Sequence, residues 1–237
     1  KDFRMTEQNK IEFKNLNLNL DNNIFFKNLN LSFSHSGISA IIGPNGSGKT
    51  LILKLIMGLV KPTNGEIYLV DNSRSNISYA SQNVILLRRN VFENLSLPMK
   101  IHGFNNQFIN NRIEKLLKYF RIYNLKNKSA RSLSVGKKQY LSVIRSFILD
   151  SNILILDEPC ANLDNYSTKK IEKFILLEKK LKKKIILVTH DIYQAKRLAD
   201  EIILLNKGKI KAHETKRKFF LSQNSIVSNF KKGEIIF

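Results

Sequence analysis

Apolar and polar residues alternate near the start of the chain, as they do in half-exposed β-strands. The alternating apolar positions are Ile11, Phe13, Leu16, Leu18, Leu20, Leu29, Leu31 and Phe33. A turn is predicted at residues 21–23, because Asp and Asn side chains hydrogen-bond to the nearby backbone. The pattern therefore predicts an antiparallel β layer, followed by two short strands near residues 66–69 and 77–80.

Two later runs, residues 153–156 and 185–188, contain only apolar side chains, as strands buried on both faces do. Apolar positions at helical spacing place a helix near residues 171–181, between the two runs. Parallel strands joined by a helix are the arrangement expected from this order. Residues 201–205 and 209–213 are predicted to close the sheet as edge strands.

Between these regions, five apolar positions recur at intervals of three and four: Ile109, Ile113, Leu116, Leu117 and Phe120. This spacing predicts a small helical subdomain inserted into the α/β core. We expect one domain whose core covers about residues 1–83 and 150–215, with the helical subdomain at about 84–149 and a C-terminal tail at about 216–237.

The composition favours a soluble cytosolic protein. Hydrophobic residues make up 43% of the 237, and no apolar run approaches the roughly 18 residues that a membrane span needs. Residues 1–10 are polar and lack a signal-peptide core, and the single cysteine, Cys160, excludes an internal disulfide.

The net charge of +21, from 40 Lys+Arg against 19 Asp+Glu, is unusual. It allows three interpretations: compositional drift, attraction to an anionic membrane surface, or nucleic-acid binding. The lysines do not gather on one element, and the lysine-rich run at residues 179–184 is predicted to be a solvated face between a helix and a strand.

Residues 43–50 have the GxxxxGKT spacing of a phosphate-binding loop. They are Gly43, Pro44, Asn45, Gly46, Ser47, Gly48, Lys49 and Thr50. An apolar run precedes them and helical spacing follows, which is the strand, loop and helix order that the motif requires. Glycines let successive N–H groups face one anion at the positive end of the helix. Lys49 is predicted to contact the β- and γ-phosphates of a nucleotide, and Thr50 to ligate Mg²⁺.

Polar side chains end three of the predicted strands. Asp157 and Glu158 follow residues 153–156, at the strand end where ligands of open α/β sheets bind. Asp157 is predicted to hold Mg²⁺ through a water, and Glu158 to polarise the attacking water; an ordinary strand exit is the alternative. His190 follows a strand predicted to neighbour the Asp157 strand, so it is expected to face the same γ-phosphate. Gln82 is predicted to contact the water and Mg²⁺.

Leu133-Ser134-Val135-Gly136 opens another predicted helix. Serine is a preferred N-cap, so Ser134 needs no function. A serine and a glycine at a helix start also form an anion site, however, and a second such site suggests a nucleotide sandwiched between two copies of the chain.

Together these motifs resemble the ATP-binding cassette (ABC) family, the ATPase subunits of ABC transporters. The matching features are the phosphate loop, Gln82, the signature at residues 133–136, the acidic motif at residues 153–159, the loop at residues 161–164 and the switch His190. The resemblance implies an α/β P-loop NTPase fold, in which a mostly parallel sheet flanked by helices carries an antiparallel β layer and an inserted helical subdomain. It also implies ATP hydrolysis with Mg²⁺, in a head-to-tail homodimer where Ser134 and Gly136 of one subunit close over ATP held by the other.

The chain departs from the family pattern at three positions. The signature usually reads LSGGQ or LSGGE, whereas Val135 and Lys137 stand here at two of its positions. We expect these two residues to weaken or retune closure of the dimer. Leu20 falls where the family often has an aromatic that stacks on adenine, and Phe13 or Phe25 could replace it.

Residues 82–91 resemble, more narrowly, the ATPases of tungstate importers, in which a QxPVLLRRSV-like stretch faces the permease, and residues 219–234 resemble that subgroup's ending. The resemblance implies a peripheral ATPase on the cytoplasmic face of the inner membrane. Its partners would be a permease, bound near Arg88 and Arg89, and indirectly an extracytoplasmic solute-binding protein. Importer ATPases for phosphate, amino acids and other solutes share much of this pattern, and a solvated loop is the alternative interpretation of the two arginines.

The sequence leaves two other classes of function open. A soluble nucleic-acid-associated ABC ATPase is permitted by the charge, but such proteins carry two cassettes or long insertions that do not fit this chain, so nucleic acid is not the expected partner. A phosphate-loop kinase should lack the signature at Ser134 and the switch at His190.

Overall fold

The computed structural model describes residues 11–21, 23–69 and 76–232. The polar segment at residues 1–10 and the last five residues of the predicted tail, 233–237, lie outside the described residues.

The strands are β1 (Ile11–Leu20), β2 (Asn23–Phe33), β3 (Gly37–Ile42), β4 (Asn64–Leu69), β5 (Ile77–Ala80), β6 (Ile153–Asp157), β7 (Lys184–Val188), β8 (Glu201–Asn206) and β9 (Lys209–Thr215). The helices are α1 (Lys49–Ile56), α2 (Val91–Ile101), α3 (Asn106–Tyr119), α4 (Val135–Ser146), α5 (Asn165–Lys180), α6 (Ile192–Leu198), α7 (Lys216–Leu221) and α8 (Ser225–Lys232).

The larger sheet has the order β5-β6-β7-β3-β8-β9. The strands from β5 to β8 in this order are parallel, and β9 is antiparallel to β8. The prediction that β8 is an edge strand is therefore wrong, because β8 bonds to β3 on one side and to β9 on the other. Its run of buried residues is that of an interior strand, whereas β9 alternates between exposed and half-buried positions and closes the edge.

The smaller sheet has the order β2-β1-β4 and is antiparallel, as the alternation near the start of the chain predicts. Its apolar face packs together with α1 and with one face of the larger sheet. In β6, Ile153 and Ile155 point into this cluster, whereas Leu154 and Leu156 point into the cluster formed with α2 to α5. Because successive residues of a strand face opposite sides, a strand covered on both faces must be apolar throughout.

Helix α3 contains four of the five predicted apolar positions, Ile109, Ile113, Leu116 and Leu117, and Phe120 follows as its C-cap; all five are buried. Helix α5 begins at Asn165, earlier than the predicted boundary at residue 171. The Asp164 carboxylate caps it by accepting a hydrogen bond from the Ser167 N–H at 2.7 Å. The first turn of α5 is polar, so hydrophobic spacing gave no sign of it.

The lysine-rich run contains two buried members, and the prediction of a solvated face is wrong for both. Lys184, the first residue of β7, has 0% exposure, and its ammonium bonds to the Ser34 hydroxyl at 2.8 Å and faces Glu201 at 3.4 Å. Burial lowers the pKa of Lys184 to about 8. Lys183 pairs with the buried Glu178 and with Asp150. Each buried ammonium is thus matched by a carboxylate, as burial of charge requires.

The two C-terminal helices lie against the larger sheet. Phe219 of α7 and Val227 of α8 are buried in a cluster with α6, β3 and β8. Within the three described ranges, no helix combines the length and apolarity needed to cross a membrane.

Candidate functional site

The strand order brings three loops to one edge of the sheet. Strand β7 lies between β6 and β3 and is parallel to both, with Asp157 in register with Val188. The predicted neighbourhood of the Asp157 and His190 strands is confirmed. Because all three strands run in the same direction, the phosphate loop, Glu158 and His190 start from the same edge.

The phosphate loop depends on its glycines for conformation and for space. Gly43 has φ 148° and Gly48 has φ 104°, in a region that other residues rarely adopt. A Cβ on Gly43 would lie 2.0 Å from the Leu205 carbonyl oxygen, and one on Gly48 would lie 2.9 Å from the ring of Phe26. Side chains at these positions would therefore distort the loop.

The Lys49 ammonium lies inside this loop. It donates to the carbonyl oxygens of Gly43 and Pro44, both at 2.8 Å. Burial lowers the pKa of Lys49, while the nearby charges of Glu158 and Asp157 act in the opposite direction. The loop thus holds a cation at its centre, where a phosphate group would meet it.

Thr50 and Asp157 meet across the site. The Thr50 hydroxyl donates to Asp157 Oδ2 at 2.9 Å, while Asp157 Oδ1 is buried without a hydrogen-bond partner among the described residues. Burial raises the pKa of Asp157, and burial together with Asp157 raises that of Tyr79 to about 12. The Ser47 hydroxyl in the phosphate loop is also buried and without such a partner.

These unsatisfied oxygens fit a cation and a phosphate, which would supply the missing contacts. Over the described part of the chain, no group of three or more His, Cys, Asp or Glu side chains could hold a metal ion. Mg²⁺ does not need such a group, since it usually takes one or two carboxylates together with water and substrate phosphates. Asp157 with the Thr50 hydroxyl matches that requirement.

Glu158 and His190 form a pair beside the loop. His190 Nδ1 lies 2.9 Å from Glu158 Oε2; the carboxylate side chain is 9% exposed and the imidazole 70%. Glu158 has φ 50°, and its backbone is fixed because its N–H donates to the Val188 carbonyl at 2.9 Å and its carbonyl accepts from Gln139 at 3.3 Å. A non-glycine residue held in this region is strained, as residues at active sites often are.

A cavity of about 360 Å³ brings most of the predicted site residues together. It is lined by Asn45, Gly46, Gly48, Lys49, Thr50, Gln82, Asp157 and Glu158, together with Phe25, Leu51 and Val188. His190 and Gln82 border an adjoining cavity with Gly43 and Pro44. Gln82 is exposed and stands between the two cavities.

The structure separates the two aromatic candidates for adenine stacking. Phe13 is 1% exposed and packs edge-on against Phe33, so it belongs to the core. Phe25 lines the cavity next to Gly48 and Leu51, and it is exposed. Phe25 is therefore the aromatic available to a base bound there.

We expect Phe25→Ala to weaken ATP binding about tenfold, because stacking of a base on an aromatic ring contributes ~1–3 kcal/mol. Titration with ATP and with inorganic triphosphate, which has no base, measures the effect. Triphosphate affinity should stay unchanged, and Ile24→Ala, at an exposed neighbouring position, should bind ATP normally. Equal losses for both ligands would mean that Phe25 supports the loop rather than the base.

The residues of the signature lie elsewhere. Ser134 caps α4 and accepts a hydrogen bond from the Lys137 N–H at 3.5 Å, and Val135 is 69% exposed. Ser134 and Gly136 line a separate cavity of about 270 Å³, which no residue of the phosphate loop borders. A Cβ on Gly136 would lie 2.8 Å from the Asn162 carbonyl oxygen, so glycine lets α4 approach the loop that precedes α5.

Sequence reasoning missed several residues of the site. Tyr79 reaches Asp157 from β5, and Gln139 of α4 holds the Glu158 carbonyl. Gln139 is an ordinary polar residue of its helix, and no local pattern distinguishes it. The alternation of β5, with Ser78 and Ala80 buried, was the one signal that Tyr79 faces the opposite side.

Comparisons with known proteins agree with this geometry. The sequence profile of the ABC transporter family matches residues 26–161. The tungstate uptake system ATP-binding protein TupC of Peptoclostridium acidaminophilum is 34% identical over 184 residues, which are 76% of this chain and 86% of that protein. The methionine import ATP-binding protein MetN of Francisella tularensis is 31% identical over 89% of this chain, which spans 60% of MetN.

Among solved structures, an ATP-binding cassette dimer in a post-hydrolysis state with ADP and Pi is similar, with a TM-score of 0.78 and 26% identity. The match covers 87% of this chain and 99% of that one. The predicted fold, a P-loop NTPase core with an antiparallel β layer and added helices, is confirmed.

Proposed function

The chain belongs to the ABC transporter family, whose ATP-binding subunits are ATPases, and we propose that it is the ATP-hydrolysing subunit of a membrane importer for an oxyanion such as tungstate. The observation that carries the ATPase chemistry is the convergence of Lys49, Asp157, Glu158 and His190 at one edge of the sheet. The adjoining cavities leave room for a nucleotide against the phosphate loop.

Each residue of the site has a distinct role in this proposal. Lys49 and the loop N–H groups hold the β- and γ-phosphates. Glu158 accepts a hydrogen bond, and then a proton, from the attacking water, while His190 orients Glu158 and faces the γ-phosphate. Thr50, Gln82 and Asp157 would hold Mg²⁺, which neutralises developing charge on the phosphates.

A second copy of the chain would complete the site. Ser134 and Val135 are exposed at the start of α4 and lie apart from the phosphate loop of their own chain, so they are free to approach the nucleotide of a partner. The similar cassette solved as a dimer supports this arrangement. In the proposal, ATP binding closes the dimer and hydrolysis opens it, with Lys137 adding a cation where the family has Gln or Glu.

The segment from Gln82 to Arg89 would pass this motion to the permease. Gln82 borders the nucleotide cavity, and Arg88 and Arg89 are exposed at the other end of the segment. The buried Asn94 of α2 holds the segment, accepting from the Leu87 N–H at 2.8 Å and donating to the Arg89 carbonyl at 3.3 Å. A shift at Gln82 would therefore move the arginines and α2 together. This docking would hold the ATPase peripherally, on the cytoplasmic face of the inner membrane.

The solute is the least constrained part of the proposal, because other chains select it. Two similarities favour tungstate. The match to TupC covers 86% of that protein, and residues 82–91 resemble the corresponding stretch of tungstate-importer ATPases. Methionine or another small solute is the alternative, since MetN is 31% identical over more of this chain. An extracytoplasmic binding protein would deliver the solute to the permease.

We expect the double variant Arg88→Ala/Arg89→Ala to abolish solute uptake while the isolated ATPase keeps its turnover. The arginines are exposed and lie outside the nucleotide cavity, so their loss removes docking charges only. Uptake of labelled tungstate into cells that carry the chain with its permease and binding protein measures the effect. Lys209→Ala/Lys211→Ala, exposed on the opposite edge strand β9, is the matched control.

The same assay decides the solute. Competition by excess unlabelled tungstate, but not by methionine, supports an oxyanion importer. Uptake of methionine with no tungstate uptake would support the alternative, and normal uptake by the arginine variant would show that the permease binds elsewhere.

A further inference from the structure

A buried carboxylate on α5 links this helix to α6. Glu172 binds Arg197 through both carboxylate oxygens: Oε1 accepts from Nη2 at 2.6 Å, and Oε2 accepts from Nε at 3.0 Å. Its Oε1 also accepts from Gln194 Nε2 at 3.3 Å. The Glu172 side chain is 10% exposed and the Arg197 side chain 48%, so the carboxylate is buried while the guanidinium reaches the surface. The two-bond geometry fixes the relative orientation of the two side chains. The bond to Glu172 raises the pKa of Arg197.

The partners of Glu172 extend to the loop that carries His190. Asp191 follows His190 directly and caps α6 by accepting from the Tyr193 N–H at 2.8 Å. The Arg197 guanidinium lies 3.6 Å from this same Asp191 carboxylate. Arg197 thus joins Glu172 to the residue beside His190.

The partners of Glu172 also extend to the loop that carries Glu158. Gln194 is buried and borders the same cavity as Cys160, which stands two residues after Glu158. The cavity of about 640 Å³ between the loops is bordered by Glu158, Cys160, His190, Asp191, Gln194 and Arg197. Glu172 does not line this cavity, but it hydrogen-bonds to two residues that do, Gln194 and Arg197.

We propose that Glu172 is a positioning residue for hydrolysis: through Arg197 and Gln194 it fixes the loops after β6 and β7, and with them the contact between Glu158 and His190. The inference rests on the proposed roles of these two residues. A rigid link suits this place because the 2.9 Å contact joins side chains from two separate loops, and small errors in the position of reacting groups are costly.

Helix α5 offers a matched control for the alternative that Glu172 only stabilises the fold. Glu178, on the same helix, is also buried and pairs with the buried Lys183. Lys183 directly precedes β7, whereas His190 follows that strand at its other end. Loss of either group removes an ion pair made by a buried carboxylate of α5, but of the two only Glu172 bonds to residues that border the cavity between the site loops.

The experiment compares Glu172→Gln with Glu178→Gln in the full chain, using steady-state ATPase kinetics, ATP titration and thermal unfolding. Glu172→Gln is expected to lower kcat about tenfold to a hundredfold with unchanged ATP affinity, as misplacement of a reacting group does. Glu178→Gln is expected to lose similar thermal stability and to keep its kcat. Arg197→Lys, at a half-exposed site, keeps the positive charge but cannot form both hydrogen bonds to Glu172. It should lower kcat less than Glu172→Gln does.

Equal kcat values for Glu172→Gln and Glu178→Gln would overturn the inference, as would a loss in Glu172→Gln that appears only as weaker ATP binding. If Glu172→Gln does not fold, Arg197→Lys decides: a normal kcat overturns the inference and a lowered kcat with normal ATP affinity supports it. Glu158→Gln, measured in parallel, distinguishes failure of the proposed catalytic roles from failure of the positioning role of Glu172. Normal turnover of that variant rejects the proposed catalytic roles, whereas its inactivity beside an active Glu172→Gln rejects the positioning role alone.

Discussion

Replacement of Glu158 by glutamine is expected to stop ATP hydrolysis while ATP still binds. The amide has nearly the same shape as the carboxylate and keeps a hydrogen bond to His190, but it cannot accept the proton of the attacking water. Loss of a general base lowers turnover by about 10²- to 10⁴-fold. The phosphate loop and Lys49 are untouched, so the affinity for ATP should stay at the level of the unaltered protein.

Phosphate release under steady state and ATP titration measure the two quantities separately. Because the proposal makes hydrolysis the step that opens the dimer, size-exclusion chromatography of Glu158→Gln with ATP should also show more dimer than the unaltered chain. Glu178→Gln, which neutralises a buried carboxylate of α5 away from the site, controls for the loss of charge. Turnover at the normal rate in Glu158→Gln would assign the base to another residue.

Lys49→Ala is expected to lose ATP binding itself. The Lys49 ammonium is held inside the loop by two carbonyl oxygens at 2.8 Å, and it is the cation that would meet the β- and γ-phosphates. Removing one partner of a desolvated charge pair costs at least about 2 kcal/mol, which is roughly a thirtyfold loss of affinity. Equilibrium titration with ATP measures this loss, and hydrolysis should fall with it.

The matched control is Lys54→Ala, on the exposed face of the same helix α1. It should bind ATP normally, since it removes an equal charge that points away from the cavity. Thermal unfolding shows whether Lys49→Ala keeps its fold. A folded Lys49→Ala protein that binds ATP as tightly as the control would contradict the assignment of Lys49 to the phosphates.

Much of the site could be predicted because its parts are local. Residues 43–50 form a continuous loop between a strand and a helix, and its glycine spacing alone indicates phosphate binding. Asp157, Glu158 and His190 each follow an apolar run that forms a buried strand, and parallel strands present their carboxyl ends at one edge. Pairing of β6 with β7 then brings these side chains together.

The sequence alone could not settle features that depend on contacts between distant segments. Whether β8 lies at the edge or in the interior of the sheet depends on its pairing with β3, which is distant in the sequence. Phe13 and Phe25 occur on similar strands, and packing alone decides that Phe13 is core while Phe25 borders the cavity. Lys184 is buried because Ser34 and Glu201 come from two other segments to meet its ammonium.

The sequence by itself therefore determined the strands, the phosphate loop, the residues at the strand ends and the family. Hydrophobic periodicity records which side of an element faces the core, and a motif records chemistry within a few residues. The tertiary structure alone decided which segments meet: Thr50 with Asp157, Glu158 with His190, and Glu172 with Arg197. It also decided that Ser134 borders a different cavity from the phosphate loop of its own chain. Such contacts arise from the packing of whole layers, and no short stretch of sequence specifies them.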